Sequence, residues 1–291
     1  MAISPAHRFG QIIGEVLETA VTPLLENFAL QNGLYLDKKG VRPCRAGKKC
    51  SWTDLNNNSH DLDFVLERGG SFDKQGIPAA FIETAWRRYT KHSRNKVQEI
   101  QGAIVPLVQT YRNSAPFQGA ILAGVFTKGA LTQLRSLGFI VLYFPYETVV
   151  DVFRKFDIDA TYDETTPDAV FQEKINSYEA LNGNKRDKLS QALIQENATD
   201  VDRFMLSLAT SVSRQIDRIT ILPLHGSPHD LTNVKDAIQF IRGYKEHSTV
   251  TEFQRYEIHV RYNNDNRVEG TFADKQSAIE FLQIFQPVVI V

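Results

Sequence analysis

The stretch DLDFVLE at residues 61–67, followed by a glycine-rich turn and then by FIETAW at residues 81–86, decides the fold expected for this chain. Both segments are short apolar runs that carry acidic side chains at alternate positions. Residues i and i+2 of a β-strand share one face, so Asp61, Asp63 and Glu67 are expected on one face and Glu83 and Ala85 on one face. The two segments predict adjacent strands with several acids on them.

The connection between these strands predicts which acids meet. It contains Gly69, Gly70 and Gly76, as a hairpin connection does. A turn centred near Asp73 places opposite each other the residues whose numbers sum to 146, and Asp63 then faces Glu83. Acids on a core strand cost free energy unless something pairs with them, and a divalent metal is the usual reason to place several together. Asp63 and Glu83 are therefore the predicted metal ligands, with Asp61 as a further candidate.

The composition limits the class of protein. The chain has 291 residues, of which 42% are hydrophobic and 23% charged, as in a soluble globular protein. No window approaches 18 uninterrupted apolar residues, and no basic segment followed by an apolar run begins the chain, so neither a membrane span nor a secretion signal is expected. The two cysteines, Cys44 and Cys50, are too few for a disulfide scaffold and favour a reducing cytoplasm.

Basic residues flank both acidic strands, although the formal net charge is −1. Local positive charge beside an acidic site suits a substrate with a phosphate backbone, and the alternative is two solvated loops. One cluster precedes the first acidic strand and the other follows the second strand. Their members are Arg42, Arg45, Lys48 and Lys49, and Arg87, Arg88, Lys91, His92, Arg94 and Lys96. The predicted nucleic-acid contacts are Arg45, Lys48, Lys49, Arg87, Arg88 and Arg94.

Hydrophobic periodicity predicts an α/β layer in the first half of the chain, in which an antiparallel hairpin is extended by parallel strands. Pro23 is expected to kink or end the first helix, and residues 38–59 are expected to be a loop. The expected elements are a helix at 5–31, strands at 33–37, 61–67 and 78–86, a helix at 90–113, a strand at 119–126, a helix at 130–136 and a strand at 139–144.

The second half of the chain has two regions with different predicted secondary structure. Residues 146–216 have a mainly helical pattern, with a long second helix at about 189–216. From 217 the order β-α-β-β-α-β follows, which is the split βαβ, ferredoxin-like arrangement, with its last strand at 287–291. The predicted organisation is a core domain at 1–150, a helical segment at 151–216 and a small α+β domain at 217–291.

The order of elements, with Asp63 on one strand and Glu83 on the next, resembles the PD-(D/E)XK nuclease superfamily, and more narrowly the type II restriction endonucleases. The core of that superfamily is α-β-β-β-α-β with a mixed sheet, and residues 5–126 follow this order. The resemblance implies that Asp63 and Glu83 hold Mg²⁺. It also implies that a lysine two residues after the glutamate helps to activate the attacking water.

The chain departs from the family pattern at that lysine, because residue 85 is alanine. The next helix offers two replacements. At about 100° per residue, Lys96 lies about 70° from the mean of the apolar stripe and Lys91 about 150° from it. Lys96 is therefore the better candidate, unless Lys91 belongs to the loop that enters the helix. Some family members carry another acid on the first helix, where Glu15 and Glu18 point away from the apolar stripe.

The predicted function is a Mg²⁺-dependent DNA endonuclease, most simply a type II restriction enzyme that acts on double-stranded DNA as a homodimer. A DNA methyltransferase encoded nearby would accompany such an enzyme. The alternatives are a repair or recombination nuclease of the same fold, and a catalytically inactive DNA-binding protein, which the absent lysine favours. Glu67 is expected at a solvent-exposed strand end. Zinc binding by Cys44, Cys50 and His60 is disfavoured, because zinc sites use four ligands and commonly closer cysteine pairs.

Overall fold

The computed structural model describes residues 4–112, 114–247, 252–263 and 267–286. The chain divides into two compact units, 1–209 and 210–291. The architecture is mixed α/β, and the main sheet contains both parallel and antiparallel strands.

Within the described ranges, no helix combines the length and the apolar character needed to cross a bilayer.

The first unit contains most of the regular structure. Its helices are α1 (Pro5–Gln31), α2 (Thr90–Thr110), α3 (Lys128–Ser136), α4 (Tyr146–Arg154), α5 (Asp168–Glu179), α6 (Gly183–Glu196) and α7 (Ala198–Val212), the last of which runs past the boundary between the units. Its strands are β1 (Leu34–Lys38), β2 (Cys50–Thr53), β3 (Ser59–Leu62), β4 (Phe64–Arg68), β5 (Ile77–Arg87), β6 (Phe117–Gly124) and β7 (Ile140–Pro145).

Five strands form the main sheet in the order β1-β4-β5-β6-β7. The pairs β1–β4 and β4–β5 are antiparallel, whereas β5–β6 and β6–β7 are parallel. Alternation along β5 sends Phe81 and Ala85 into the core beneath α2, where they join the fully buried Val97, Ile100 and Ile104. Glu83, between Phe81 and Ala85 in this alternation, therefore belongs to the α2 face of the sheet.

Helix α1 begins where Ser4 accepts a hydrogen bond from the backbone N–H of His7, with Pro5 in the first turn. Pro23 does not end this helix, because α1 continues to Gln31, the limit that was predicted. Buried residues lie on both sides of the proline, including Leu17 and Leu25. Their packing outweighs the loss of one backbone hydrogen bond.

The strand expected at 61–67 is broken at Asp63. β3 ends at Leu62 and pairs with β2 in a separate two-stranded sheet, while β4 begins at Phe64 and joins the main sheet. The expected loop at 38–59 therefore contains β2 and the start of β3, strands of four residues that are too short for a clear periodic signal.

The register of β4 against β5 follows the predicted sum of 146 from Phe64↔Ile82 to Leu66↔Ala80. It shifts by one residue after Leu66. This shift lies away from the Asp63 end of the hairpin, so the predicted relation between Asp63 and Glu83 is not affected by it.

The helices after residue 150 belong mainly to the first unit, in contrast to the separate helical segment expected at 151–216. Helices α5 and α6 pack against α1, and α4 packs against α6. The expected helix at 189–216 is two helices, because α6 ends at Glu196 and α7 begins at Ala198.

The second unit contains β8 (Ile216–Pro223), β9 (His229–Leu231), α8 (Val234–Gly243), β10 (Tyr256–Tyr262), β11 (Arg267–Phe272) and α9 (Lys275–Gln283). Its sheet has the order β11-β10-β8-β9, and each neighbouring pair is antiparallel. The described strands do not form the split βαβ, ferredoxin-like arrangement that was predicted. That arrangement has two parallel strands with a third between them, whereas β8 and β10 pair directly and are antiparallel. The short polar strand β9 reverses the chain before α8. The strand expected at 287–291 lies outside the described residues.

Candidate metal centre

Asp63 and Glu83 lie side by side where β4 separates from β5. β4 pairs with β5 only as far as Ile82, because the chain leaves the main sheet at Asp63, between β3 and β4. Beyond Ile82, the side chain of Asp63 contacts this edge of β5 in place of a strand. Asp63 Oδ2 accepts hydrogen bonds from the Thr84 backbone N–H at 2.7 Å and from the Thr84 hydroxyl at 2.8 Å. The backbone N–H of Asp63 donates to Glu83 Oε1 at 3.2 Å. These bonds hold both carboxylates in a defined geometry.

The Glu83 carboxylate is buried, with 6% of the residue exposed. Burial, followed by the negative charge of Asp63, raises the pKa of Glu83 to about 8, while Lys96 opposes this shift. The two carboxylates therefore repel each other in a poorly solvated place. A cation bound between them would relieve this repulsion, as expected for a metal site.

Lys96 is the lysine that reaches Glu83. Its Nζ lies 3.4 Å from Glu83 Oε2 and 3.7 Å from Glu99 Oε2, and its side chain is 18% exposed. Lys91, in the first turn of α2, instead forms an ion pair with Glu164 at 2.5 Å on the surface. The structure thus brings Lys96 to the carboxylate pair and directs Lys91 elsewhere.

Glu18 is a third carboxylate, and it interacts electrostatically with Asp63. Although the residue as a whole is exposed on α1, desolvation of its carboxyl and the charge of Asp63 raise the pKa of Glu18 to about 7. Glu15, the other acid considered on this helix, forms an ion pair with Arg8 at 2.7 Å. The sequence offered no signal that separated Glu18 from Glu15, because their proximity to Asp63 depends on how α1 packs.

Asp61 lies outside the pair. It is on β3, opposite Ser51 of β2, and not on the strand that pairs with β5. Its carboxylate accepts from Lys49 at 2.6 Å and from the Ser51 hydroxyl at 2.6 Å, and these bonds lower its pKa. The break at Asp63 is the reason, because it carries Asp61 into the second sheet.

Two arginines of the basic cluster before the first acidic strand, Arg42 and Arg45, have side chains that are buried in the fold. Arg42 binds Glu67 at 2.5 and 2.9 Å and Asp37 at 2.9 Å. Arg45 binds Asp37 at 3.1 and 3.2 Å, and its side chain is 6% exposed. The expectation of a nucleic-acid contact by Arg45 is therefore not supported by its position, and the expected exposure of Glu67 is wrong because that residue is fully buried.

The remaining basic candidates differ in exposure. Lys48, Lys49 and Arg94 are exposed. Arg87 is partly buried, which lowers its pKa, and it donates to the Trp86 carbonyl at 2.7 Å. Arg88 donates to the Tyr162 carbonyl at 2.8 Å and stacks 4.1 Å from the centre of the Tyr146 ring, at the wall of an open pocket of about 610 Å³.

The donor chemistry of the pair fits Mg²⁺. Within the described ranges, no group of three or more His, Cys, Asp or Glu side chains is arranged to hold a metal ion. Mg²⁺ commonly uses one or two protein carboxylates and completes its shell with water and substrate phosphate oxygens, so Asp63 and Glu83 supply a sufficient protein contribution. Zinc gains no support, because His60 binds Asp54 at 2.9 Å and Cys50 is buried against Asp37.

No family model and no curated protein matches this chain. A solved structure described as a protein of unknown function, AF1548, aligns with a TM-score of 0.29 and 10% sequence identity, covering 68% of this chain and 97% of its own. At this TM-score and identity the likeness establishes neither a shared fold nor a shared function.

Proposed function

We propose that this protein is a Mg²⁺-dependent endonuclease that hydrolyses phosphodiester bonds in DNA. The observation that carries the proposal is the juxtaposition of Asp63, Glu83 and Lys96 at the edge where β4 separates from β5. Two carboxylates with a lysine beside them are the groups that metal-assisted phosphodiester hydrolysis requires. The raised pKa of Glu83 supports the same interpretation, because perturbed titration accompanies functional sites.

Each residue has a distinct role in this proposal. Asp63 and Glu83 would bind Mg²⁺, which neutralises charge on the phosphate oxygens and lowers the pKa of a nearby water. Thr84 holds the Asp63 carboxylate through two hydrogen bonds. Lys96 would stabilise the developing negative charge and orient the attacking water, in the role that the lysine missing at Ala85 has in the resembled family.

The order α1, β1, β4, β5, α2 and β6 supports placing this site in the restriction-endonuclease-like core, α-β-β-β-α-β, with the β2–β3 hairpin inserted before β4. By the same resemblance, we propose a type II restriction enzyme that acts on double-stranded DNA as a homodimer, since cutting both strands needs two sites. Lys48, Lys49 and Arg94 are the exposed cations proposed to contact its phosphate backbone. A DNA methyltransferase gene beside its own would strengthen the restriction–modification assignment.

Digestion of supercoiled plasmid with and without Mg²⁺ tests the proposal. Cleavage should require Mg²⁺ and should be lost in Asp63→Ala, while Asp61→Ala is the matched control because its carboxylate is occupied by Lys49 and Ser51. Discrete fragments support a restriction enzyme, whereas a smear supports a nonspecific or repair nuclease of the same fold. Binding without cleavage of any DNA, methylated or unmethylated, would refute the enzyme and favour an inactive DNA-binding protein.

A further inference from the structure

An open pocket of about 610 Å³ lies in the first unit, where strand β5 ends. Its wall consists of Arg88 just beyond β5, Tyr146 at the start of α4, parts of the loop at 159–167 and Lys174 on α5. Small-molecule sites in proteins usually measure about 300–1,000 Å³, so this space suits a ligand of nucleotide size. The residues of the proposed metal centre do not line it.

The guanidinium of Arg88 is held in one orientation at this wall. Its Nε donates to the Tyr162 carbonyl at 2.8 Å, and its plane stacks 4.1 Å from the centre of the Tyr146 ring. The Tyr162 ring is itself packed, because it lies 5.0 Å from the Phe171 ring and its hydroxyl accepts from Trp86 Nε1 at 3.4 Å. The cation is thus positioned by packed aromatic side chains.

The remaining donors of Arg88 are available to a ligand. Among the residues that the structure describes, the bond from Nε is the only hydrogen bond of this side chain, and no carboxylate forms an ion pair with it. Both Nη atoms therefore present a planar fork of N–H donors at the pocket. Such a fork matches a ligand with two adjacent hydrogen-bond acceptors.

The pocket also offers acceptors, on the side of Asp163. Asp163 Oδ1 accepts from the Thr165 hydroxyl and the Thr165 backbone N–H, both at 2.8 Å, and these bonds lower the pKa of Asp163 and keep it ionised. No described residue donates to Asp163 Oδ2. The ligand that fits this pocket therefore carries hydrogen-bond donors as well as acceptors.

The charges around the pocket balance. Lys174 is buried, and its Nζ donates to the carbonyl and to the carboxylate of Asp159, both at 2.8 Å. This leaves the charge of Arg88 set against that of Asp163, so the four ionised side chains at the wall sum to zero. A phosphate group would meet as much negative as positive charge there. The balance favours an uncharged polar ligand.

We infer that this pocket binds a guanine base, with the Arg88 fork on O6 and N7 and the Asp163 carboxylate on the N–H groups at N1 and N2. Two bonds from arginine to O6 and N7 are the commonest specific contact between a side chain and a base. Adenine has an amino group in place of O6. Cytosine has two adjacent acceptors but lacks the neighbouring pair of N–H groups that one carboxylate can bind.

The choice of a nucleobase over other uncharged polar molecules rests on the proposed function. A nuclease meets bases in single strands and bases taken out of a duplex stack, and either source presents the same edges of guanine to the pocket. A free guanine nucleoside would present them as well, and the experiment separates these sources.

Binding of the full chain to a fluorescent oligothymidine that contains one guanine, measured by anisotropy in EDTA, tests the pocket without cleavage. Further probes replace the guanine by 7-deazaguanine, which lacks the N7 acceptor, by adenine or by cytosine. The guanine probe should bind about 5- to 150-fold more tightly than the adenine and cytosine probes. It should bind several-fold more tightly than the 7-deazaguanine probe, which loses one bond of the two.

Calorimetry with guanosine and 7-deazaguanosine provides the second arm. A preference for guanine in both arms shows that the base alone is sufficient, and a preference in one arm identifies the single strand or the free nucleoside as the source. Each of these results supports the pocket. Equal affinities for guanine and 7-deazaguanine in both arms would overturn the inference, as would tighter binding of adenine or cytosine.

The variant Arg88→Lys keeps the charge and removes the fork, so it should lose the preference for guanine over 7-deazaguanine. Arg135→Lys is the matched control, because Arg135 is exposed on α3 and does not line the pocket. Asp163→Asn should bind the guanine probe more weakly and retain the N7 preference. Circular dichroism checks that the variants are folded, and a folded Arg88→Lys protein with the wild-type preference contradicts the inference. The comparison of probes on the wild type does not depend on any variant.

Failure of this inference is distinguishable from failure of the proposed nuclease. Asp63→Ala should abolish cleavage and retain the preference for guanine. Mg²⁺-dependent cleavage by a wild type that does not prefer guanine overturns only the base pocket. A preference that depends on Arg88, without cleavage of any DNA, leaves the pocket supported and overturns only the nuclease.

Discussion

Lys96 Nζ on α2 lies 3.4 Å from Glu83 Oε2 on β5, although residue 85, two positions after that glutamate, is an alanine. The helix thus brings a positive charge to Glu83 although the strand that carries Glu83 has no lysine. Lys91, five residues earlier, forms its ion pair with Glu164 and does not take part. This difference separates two lysines that sequence reasoning left as alternatives.

Replacing Lys96 should impair catalysis more than replacing Lys91. We expect Lys96→Ala to lower the Mg²⁺-dependent cleavage rate by roughly 100-fold or more, the usual contribution of a positioned proton-transfer or charge-stabilising group. Lys91→Ala removes an exposed ion pair and should leave the rate nearly unchanged. Single-turnover cleavage of one plasmid substrate measures both. Similar rates for the two variants would contradict the assignment of Lys96.

Mg²⁺ should stabilise the wild-type protein through Asp63 and Glu83. A ligand at 100 times its dissociation constant that binds only the folded state adds about 2.7 kcal/mol to the free energy of unfolding. Thermal unfolding of the wild type should therefore shift upward with Mg²⁺, and Glu83→Gln should abolish the shift. Asp61→Asn is the control and should retain it. A full shift in Glu83→Gln would place the metal elsewhere.

The stability of the metal-free protein should fall with pH because of Glu83. Its folded pKa of about 8 lies above the unfolded value of 4.5, since burial and the Asp63 charge favour the neutral form. Below pH 4.5 the carboxyl is neutral in both states and costs nothing. Between pH 4.5 and 8, Glu83 is ionised in the unfolded state but still protonated in the folded state, so the free energy of unfolding falls as the pH rises. Above pH 8 the carboxyl is ionised in both states, and its effect on the free energy of unfolding no longer changes with pH.

The Glu83→Gln variant tests this titration. The free energy of unfolding of the variant should exceed that of the wild type by an amount that rises with pH. This difference should be near zero below pH 4.5 and on the order of a few kcal/mol near pH 8. Urea denaturation in EDTA at a series of pH values measures the difference between the two proteins. A difference that is constant across this range would show that Glu83 does not titrate as its surroundings indicate.

Arg42 should contribute to stability, in contrast to its neighbour Lys48. Arg42→Ala leaves the buried Asp37 and Glu67 without a shared cation and removes hydrogen bonds to the carbonyls of Ser71 and Lys74. Breaking a buried ion pair from one side typically costs about 3–5 kcal/mol.

The exposed Lys48 provides the control for Arg42. Lys48→Ala should change the free energy of unfolding by less than about 0.5 kcal/mol, as surface substitutions usually do. Chemical denaturation of both variants provides the comparison. A nearly neutral Arg42→Ala would show that the buried network contributes little.

Local sequence patterns predicted the first helix and the two strands that carry the acids of the candidate site. The apolar stripe defined α1 as residues 5–31, the limits observed, and alternation with hairpin symmetry placed Asp63 beside Glu83. The break at Asp63, the β2–β3 hairpin and the strand β9 were missed, because segments of three or four residues carry too few positions for a period to show.

The sequence by itself determined the pairing of acids on two neighbouring strands, because side-chain alternation and a glycine-rich turn are local properties of the chain. Only the tertiary structure decided which charges remain available to a ligand. Arg42 and Arg45 are basic residues in a polar stretch, yet Asp37 and Glu67 bury them, whereas Lys96 reaches Glu83 only because α2 packs on that face of β5. Whether a charged side chain forms a buried ion pair or stays available to a ligand depends on which residues, distant in sequence, pack against it. The local composition of the chain does not show which residues these are.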